Sequence, residues 1–421
     1  MGSVGRGRAL DTYREVIGLT GPLLPGVSFL GRLPTATIQF GSVLLVARTS
    51  GSLAAAGLTG GALAVGQVVC GPLVGRLADR HGQRTVVLAF SLANALAITA
   101  LVAGALAGLA TPWLALLGAC AGASVPLVGP LARARLVALA RRHRAPEPVV
   151  GAALSFESTL DEVSFVLGPA LVGLAAVLAH PAHALLGAAF LVALCGGAFA
   201  LHPTATVTGP AAARRTERLG RMPRAVHSLR AALALQGAMF GACQAGITAL
   251  TERLGRPEQA GLVYAAMGVM SAVAGLAMAA VPARVGLPAR WRAATAAAFA
   301  LSLPLLWTNG LAGLYAVVTV LGVAYAPHLI TVFGLTERVV PPVRLAEAMA
   351  VATSALVGGQ ALAVAVTGRL AETYGPAAAF GAASLAAALA CVLALTARAG
   401  SYPSHDAPGH ARVAGRPHPR S

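Results

Sequence analysis

Lysine is missing, Asp and Glu together number only 14, and charged residues make up 11% of the 421-residue chain. Soluble globular domains carry about 25% charged residues, so that class is excluded. Aromatic residues stand at 5% and no basic nucleic-acid module appears, so the formal net charge of +17 does not indicate a DNA or RNA partner. Cysteines are few: Cys70, Cys120, Cys195, Cys243 and Cys391 sit singly in or beside apolar runs. No pair has metal-ligand spacing, so they read as small packing residues, not as a disulfide or zinc framework. The apolar stretches hold no His-rich cluster and no nucleophile–base spacing, and no nucleotide-binding loop occurs. Neither an enzyme nor a bound cofactor or metal is expected, and ATP drive within the chain is not expected either. A cleavable signal peptide is not evident. Arg6, Arg8 and Arg14 precede a long first apolar stretch, as in an uncleaved signal anchor.

What the chain does have is hydrophobicity: 57% apolar residues, 49 glycines and a mean hydropathy of +0.75. A helix crossing the hydrocarbon core needs about 20 apolar residues. Stretches of that kind lie near 22–46, 53–74, 85–108, 112–131, 150–178 and 183–202. Six more follow near 230–250, 259–281, 292–309, 311–334, 346–369 and 376–397. The expected architecture is an all-α membrane protein of twelve transmembrane helices in two six-helix, pseudo-symmetric bundles, as in secondary transporters built from repeats. The expected organisation is an N-terminus at 1–18, a bundle at 19–202, a linker at 203–229, a bundle at 230–397 and a disordered tail at 398–421.

The arginines orient this pattern. Of 31, the segments on the N-terminal side of the membrane hold 26 and the opposite loops hold Arg48, Arg253, Arg256 and Arg369. Such a bias puts both termini in the cytoplasm, with the charge facing anionic lipid. Histidines 405, 410 and 418 of the tail read as solvated, with metal binding the alternative.

The stretch Gly71–Arg84, GPLVGRLADRHGQR, joins the second and third spans as a short basic hairpin. Gly75 and Gly82 read as its flexible points, and Asp79 as a helix cap or a partner for an arginine. Gly75, Leu77, Ala78, Asp79, Arg80, Gly82 and Arg84 resemble the signature loop of the major facilitator superfamily, G-x-L-a-D-r-x-G-r/q-r, and the span count and linker fit the same family. The resemblance implies a conformational latch: Asp79 at the start of the eleventh span, near 344–348, with Arg133 or Arg135 as its basic neighbour. A carboxylate at a helix N-terminus is worth about 0.3–1 kcal/mol or somewhat more. The alternative is that these charges only solvate a turn and set topology. The second-half loop at 282–293 keeps the basic charge but lacks the Gly…Asp-Arg-x-Gly core.

The fifth span holds Glu157, Asp161 and Glu162, and intramembrane acids are functional-site candidates by default. At 100° per residue Glu157, Asp161 and Gly168 share one face; Glu162, Pro169 and Gly173 share another. Gly168, Pro169 and Gly173 partly match the family's fifth-helix motif G-P-x-x-G-G, associated with antiporters and exporters, and read as a bendable hinge. Arg32, the one arginine inside a span, lies at a depth similar to Asp161 and Glu162, which allows an ion pair. One reading leaves another acid free for proton coupling; the other is a static pair between two helices. The arginine motif R-x-x-Q-G of the family's proton-coupled exporters is missing from the fourth span.

The family's first, fourth, seventh and tenth spans line its central cavity. The resemblance therefore implies a site holding Gln39, Ser124, Gln236, Phe240, Gln244, Tyr325 and His328, mainly apolar and suited to an amphipathic ligand. His328 reads equally as a titrating group or as a packing residue. The function implied is alternating-access transport in the inner or plasma membrane by a monomer: proton-coupled efflux, by antiport, of a small lipophilic molecule. Uptake by symport, or a receptor or scaffold on the same fold, are the alternatives.

Overall fold

The computed structural model describes residues 3–208, 222–257, 259–282 and 284–397. Most of the linker and the whole tail, with its histidines, lie outside the described residues. Among the described residues the chain is helical without strands. Helix α1 (Ser3–Thr20) precedes the first bundle, which runs α2 (Leu23–Ser50), α3 (Leu53–His81), α4 (Gln83–Leu106), α5 (Thr111–Ala123), α6 (Val128–Arg142), α7 (Glu147–Leu178), α8 (Pro181–Leu191) and α9 (Gly197–Leu201). The second bundle runs α10 (Ala225–Arg253), α11 (Gln259–Ala277), α12 (Leu287–Ser302), α13 (Leu311–Val339), α14 (Leu345–Tyr374) and α15 (Pro376–Thr396).

Helices α5 and α6 are two halves of the fourth span, and α8 and α9 form the sixth around a π turn, Val192–Gly196. Twelve spans result among the described residues. Eleven are long and apolar enough to cross a bilayer; α12 has 16 residues and is prolonged by a 3-10 turn, Leu303–Trp307. Large apolar side chains such as Val177 (85% exposed) and Leu96 (73%) face outward, the arrangement a lipid solvent requires.

Two local features position the site. The fourth span breaks after Ala123, where Leu127 adopts φ +49°, a left-handed conformation rare for a branched residue. The helix restarts at Val128, so Gly129 and Arg133, four residues apart, share one face. The other feature is the turn between α3 and α4, which is a single residue: Gly82, at φ +85°. Gly75 is not a flexible point of that turn. It lies inside α3, where a Cβ would come within 2.5 Å of the Ala350 Cβ and 2.8 Å of the Ala346 carbonyl of α14. Its job is close backbone approach.

Close approaches between the bundles run from this turn to mid-helix. Gly71 meets Ser354 and Gly358 meets Val68 along α3 and α14; Thr159 meets Gly275 and Val166 meets Gly268 along α7 and α11. We call the end carrying the Gly82 turn the latch end.

Candidate functional site

Four charged side chains converge inside the first bundle. Arg32 of α2 is 4% exposed and Glu157 of α7 3% exposed, and the two form an ion pair. Arg32 Nη1 also donates to Asp161 Oδ1 at 2.7 Å and to the Glu157 carbonyl at 2.9 Å. Its remaining donors go to Ser28, one turn earlier on the same helix: Nη2 to the hydroxyl at 2.5 Å and Nε to the carbonyl at 3.1 Å. Asp161 is held from the other side by Arg133 of α6, whose Nη2 lies 2.5 Å from Oδ2. Room for that carboxylate comes from Gly129, where a Cβ would sit 2.8 Å from Asp161 Oδ1.

Two guanidinium groups thus face two carboxylates, and the cluster is neutral when all are charged. Burial of such a group is tolerated only because each charge is paired and hydrogen-bonded. Arg133 is fully buried and lies 4.1 Å from the ring centroid of Phe333, on α13 of the second bundle. A cation over an aromatic face links the cluster to the opposite half. Glu162, one residue past Asp161, points toward Ser271 of α11 and has no ion pair among the described residues.

Asp79 caps α14. Its Oδ1 accepts from the Ala346 amide at 3.2 Å and its Oδ2 from the Glu347 amide at 2.7 Å. Glu347 in turn accepts from Arg76 (2.9 Å) and Arg344 (2.9 Å). The basic neighbour is therefore not Arg133 or Arg135. Arg133 belongs to the buried cluster, because its side chain leaves the far face of α6 toward α7. Arg135 donates to Gln83 Oε1 (2.9 Å) and the Phe199 carbonyl (2.8 Å) with its guanidinium over the Phe199 ring, which fixes the α4 start against α9. Arg80 and Arg84 are exposed and make no hydrogen bond or ion pair among the described residues. Two further pairs cross between the bundles at this end, Arg141–Glu337 and Arg338–Glu147, the second at 3.0 Å.

Gly168 packs at van der Waals distance or closer on α2, where its Cβ would meet Ala36 at 2.8 Å; Gly173 faces open space and Pro169 is half-buried. Of the three hinge candidates only Gly168 permits a close helix approach. Of the expected cavity residues, Gln236, Phe240 and Tyr325 meet one another, while Gln39, Ser124 and His328 are held by other partners. Gln39 donates to Gln67 at 2.9 Å, and Ser124, at the break in the fourth span, accepts from Asn94 at 3.1 Å. Gln236 donates to the Tyr325 carbonyl at 2.9 Å, tying α10 to α13. Phe240 packs edge-on against Tyr264 and Tyr325, and Gln244 is half-buried. His328 is 3% exposed and lies 3.3 Å from the Trp291 indole nitrogen, which donates to it, as the packing reading expects.

A family model described as Major Facilitator Superfamily matches residues 26–340. The chain belongs to that superfamily. Among solved structures, the human organic anion transporter MFSD10 (TETRAN) superposes with a TM-score of 0.65 at 19% identity, over 93% of this chain and 99% of that one. A bacterial homologue of the iron transporter ferroportin, in an outward-facing state, gives 0.67 at 16% identity over 89% and 98%. The E. coli fucose:proton symporter FucP gives 0.61 at 14% over 89% and 97%. These likenesses concern the fold. No curated protein sequence matched the chain.

For a transporter of this superfamily, the residues that sequence reasoning missed are the ones that join the halves. Arg76, Glu347, Arg141, Glu337 and Phe333 gave little signal, because each sits at or near a helix end where a charge or ring also fits a solvated turn. The only available clue for Glu347 was its place in the first turn of the eleventh span.

Proposed function

We propose that this superfamily transporter is a proton-coupled exporter of a small amphipathic or lipophilic compound. It would work by alternating access in the inner or plasma membrane, with both termini in the cytoplasm. In that orientation the latch end is cytoplasmic, and the closed contacts there correspond to an outward-facing state. The observation that carries the coupling is the cluster itself: Arg32 and Arg133 pair with Glu157 and Asp161, leaving Glu162, beside the second bundle, with no salt bridge among the described residues. An ionised carboxylate in that position is costly, so it takes up a proton readily and releases it when the halves part. The mainly apolar surroundings of Phe240, Tyr264 and Tyr325 favour an apolar body in the cargo.

The latch supports the alternating part of the cycle. Asp79 at the α14 start, with Arg76 and Arg344 on Glu347, holds the cytoplasmic side shut until substrate or proton binding favours the other state.

The test is uptake and efflux in proteoliposomes under an imposed pH gradient, with lipophilic cations and sugars as the panel. Export of a lipophilic compound should follow the gradient, and Glu162→Gln should abolish that dependence while leaving counterflow. Wild-type pH dependence in both Glu162→Gln and Asp161→Asn would sink the coupling. Accumulation of a sugar with the proton gradient would replace export by symport. Failure of every compound to move in either direction would favour a receptor or scaffold.

A further inference from the structure

The Asp79 turn seals the α3–α14 contact between the bundles. Its pseudo-equivalent, the connection between α11 and α12, passes beside the α7–α11 contact and holds no acid from Val281 to Leu287. Arg290, the arginine best placed to reach across, folds back onto the connection's own carbonyls at Val281 (3.2 Å), Pro282 (3.0 Å) and Val285 (2.8 Å). The connection binds itself and offers no cap to α7.

Something else covers that place. Helix α1 lies across the latch end of α7 and reaches α11. Val16 is 1% exposed and packs with Leu136, Val149, Ala152 and Ala153 of the first bundle, with Ala279 of the 3-10 turn Met278–Ala280 against them. The Tyr13 ring tilts against Phe156 of α7, with centroids 6.2 Å apart. Its hydroxyl donates to the Leu276 carbonyl at 3.0 Å, in the last turn of α11, where helix carbonyls run out of intrahelical donors. Burial pushes the Tyr13 phenol up to about 12, so the hydroxyl stays a donor throughout the physiological range.

We infer that α1 is the second latch of this transporter, closing the α7–α11 interface as Asp79 closes α3–α14. The two devices use opposite chemistry at opposite helix ends: a carboxylate accepts from free amides at a helix start, and a phenol donates to a free carbonyl at a helix end. Helix α1 rides on the first bundle through Val16 and Phe156, and its contacts to Leu276 and Ala279 are ones that have to break when the latch end opens. The inference requires that the bundles part there, and it requires neither proton coupling nor a particular cargo.

The experiment reads spin-label distances between Arg80→Cys and Arg284→Cys, exposed positions on the two bundles, in full-length protein in nanodiscs with the five native cysteines replaced. Tyr13→Phe keeps the ring on Phe156 and removes the donor; it should raise the long-distance population about fivefold, as the loss of one net hydrogen bond implies. Adding Val16→Ala should bring the rise to about tenfold or more. A separate chain with Tyr13→Cys and Ala279→Cys, joined by a short reducible bifunctional thiol reagent and labelled elsewhere on the same two turns, should keep only the short distance until reduction. A double variant within about twofold of wild type overturns the inference, as does a joined protein that still reaches the long distance. Should the double variant fail to insert, the joined pair answers the same question. Failure of proton-driven export would leave these distances unaffected, so the two proposals fall separately.

Discussion

The two contacts between the bundles do the same mechanical work with different materials. Along α3 and α14 the backbones approach at Gly75, with Ser354 on Gly71, and the charges sit at the helix ends, where Asp79, Arg76 and Arg344 remain partly hydrated around a buried Glu347. Along α7 and α11 the contact is made by side chains, Val166 on Gly268 and Thr159 against Gly275. There the charges lie deep behind α7, with Arg32 and Glu157 almost wholly buried, and the end is covered by α1. Pseudo-symmetry of helices therefore does not impose symmetry of chemistry. A contact whose charges are hydrated can open and close cheaply, because water replaces each lost partner. A buried cluster cannot be opened that way, and it stays within one bundle while Phe333 and Glu162 report on the other.

The largest expected effect separates these two kinds of charge. Arg32→Leu leaves Glu157 without its partner and Asp161 with only one, both inside the bundle. Breaking a buried pair by removing one member costs about 3–5 kcal/mol, so the thermal midpoint in detergent should fall steeply. Arg76→Ala removes an ion pair whose arginine is half exposed, and the same measurement should move little. Equal losses in the two variants would mean that the cluster is hydrated and that the contrast drawn here is false.

A smaller effect tests the backbone contact. Gly75→Val would drive a side chain into Ala350 and the Ala346 carbonyl, and overpacking of that order costs about 1–3 kcal/mol of closure. Spin-label distances across the latch end should lengthen in most molecules, and transport should fall about tenfold or more. Gly173→Ala, on α7 in open space, should change neither reading, since Ala favours helix over Gly by about 1 kcal/mol. Loss of transport in Gly173→Ala with distances unchanged would restore Gly173 to the hinge.

Asp79→Ala comes next. Loss of a side-chain cap costs about 1 kcal/mol, so the closed population at the latch end should drop about fivefold in the same distance measurement, with thermal stability nearly unchanged. The effect should be smaller than that of Gly75→Val, because Arg76 and Arg344 still hold Glu347 across the same contact.

How much of this was readable beforehand follows from the physics of each element. Twelve spans and the two-bundle arrangement were legible, because apolar length is a one-dimensional signal and a membrane imposes it strictly. The cap of Asp79 on the eleventh span was anticipated from the family motif, and the meeting of Arg32 with the fifth-span acids from equal depth. Depth does not give azimuth, and Arg133 shows the consequence: four residues past Gly129 it faces α7, not the Asp79 turn. The break at Leu127 that sets this rotation is a backbone event with no strong residue signature. For His328 the sequence left two readings open, because the partner that decides its surroundings, Trp291, lies 37 residues earlier on another helix. Helix α1 was read only as a charged leader to the first span, because contacts made by Tyr13 and Val16 are tertiary.

The smallest expected effect concerns the two exposed motif arginines. Arg80 and Arg84 occupy signature positions, yet both are exposed and neither makes a hydrogen bond or ion pair among the described residues. Exposed substitutions away from partners usually fall within about 0.5 kcal/mol, so Arg80→Gln/Arg84→Gln should alter the closed population at the latch end less than about twofold. Orientation should also hold, because two arginines are a small part of the basic excess that the proposed topology places on that side. Protease protection of the termini in sealed vesicles and the spin-label distances together separate the outcomes. A changed distance with orientation intact would mean that these arginines pair in the state opened at the latch end, and that the latch comprises more than Asp79 and its neighbours on Glu347. Inverted molecules with normal distances would mean that the motif's arginines serve insertion and the aspartate serves switching, two tasks carried on one turn.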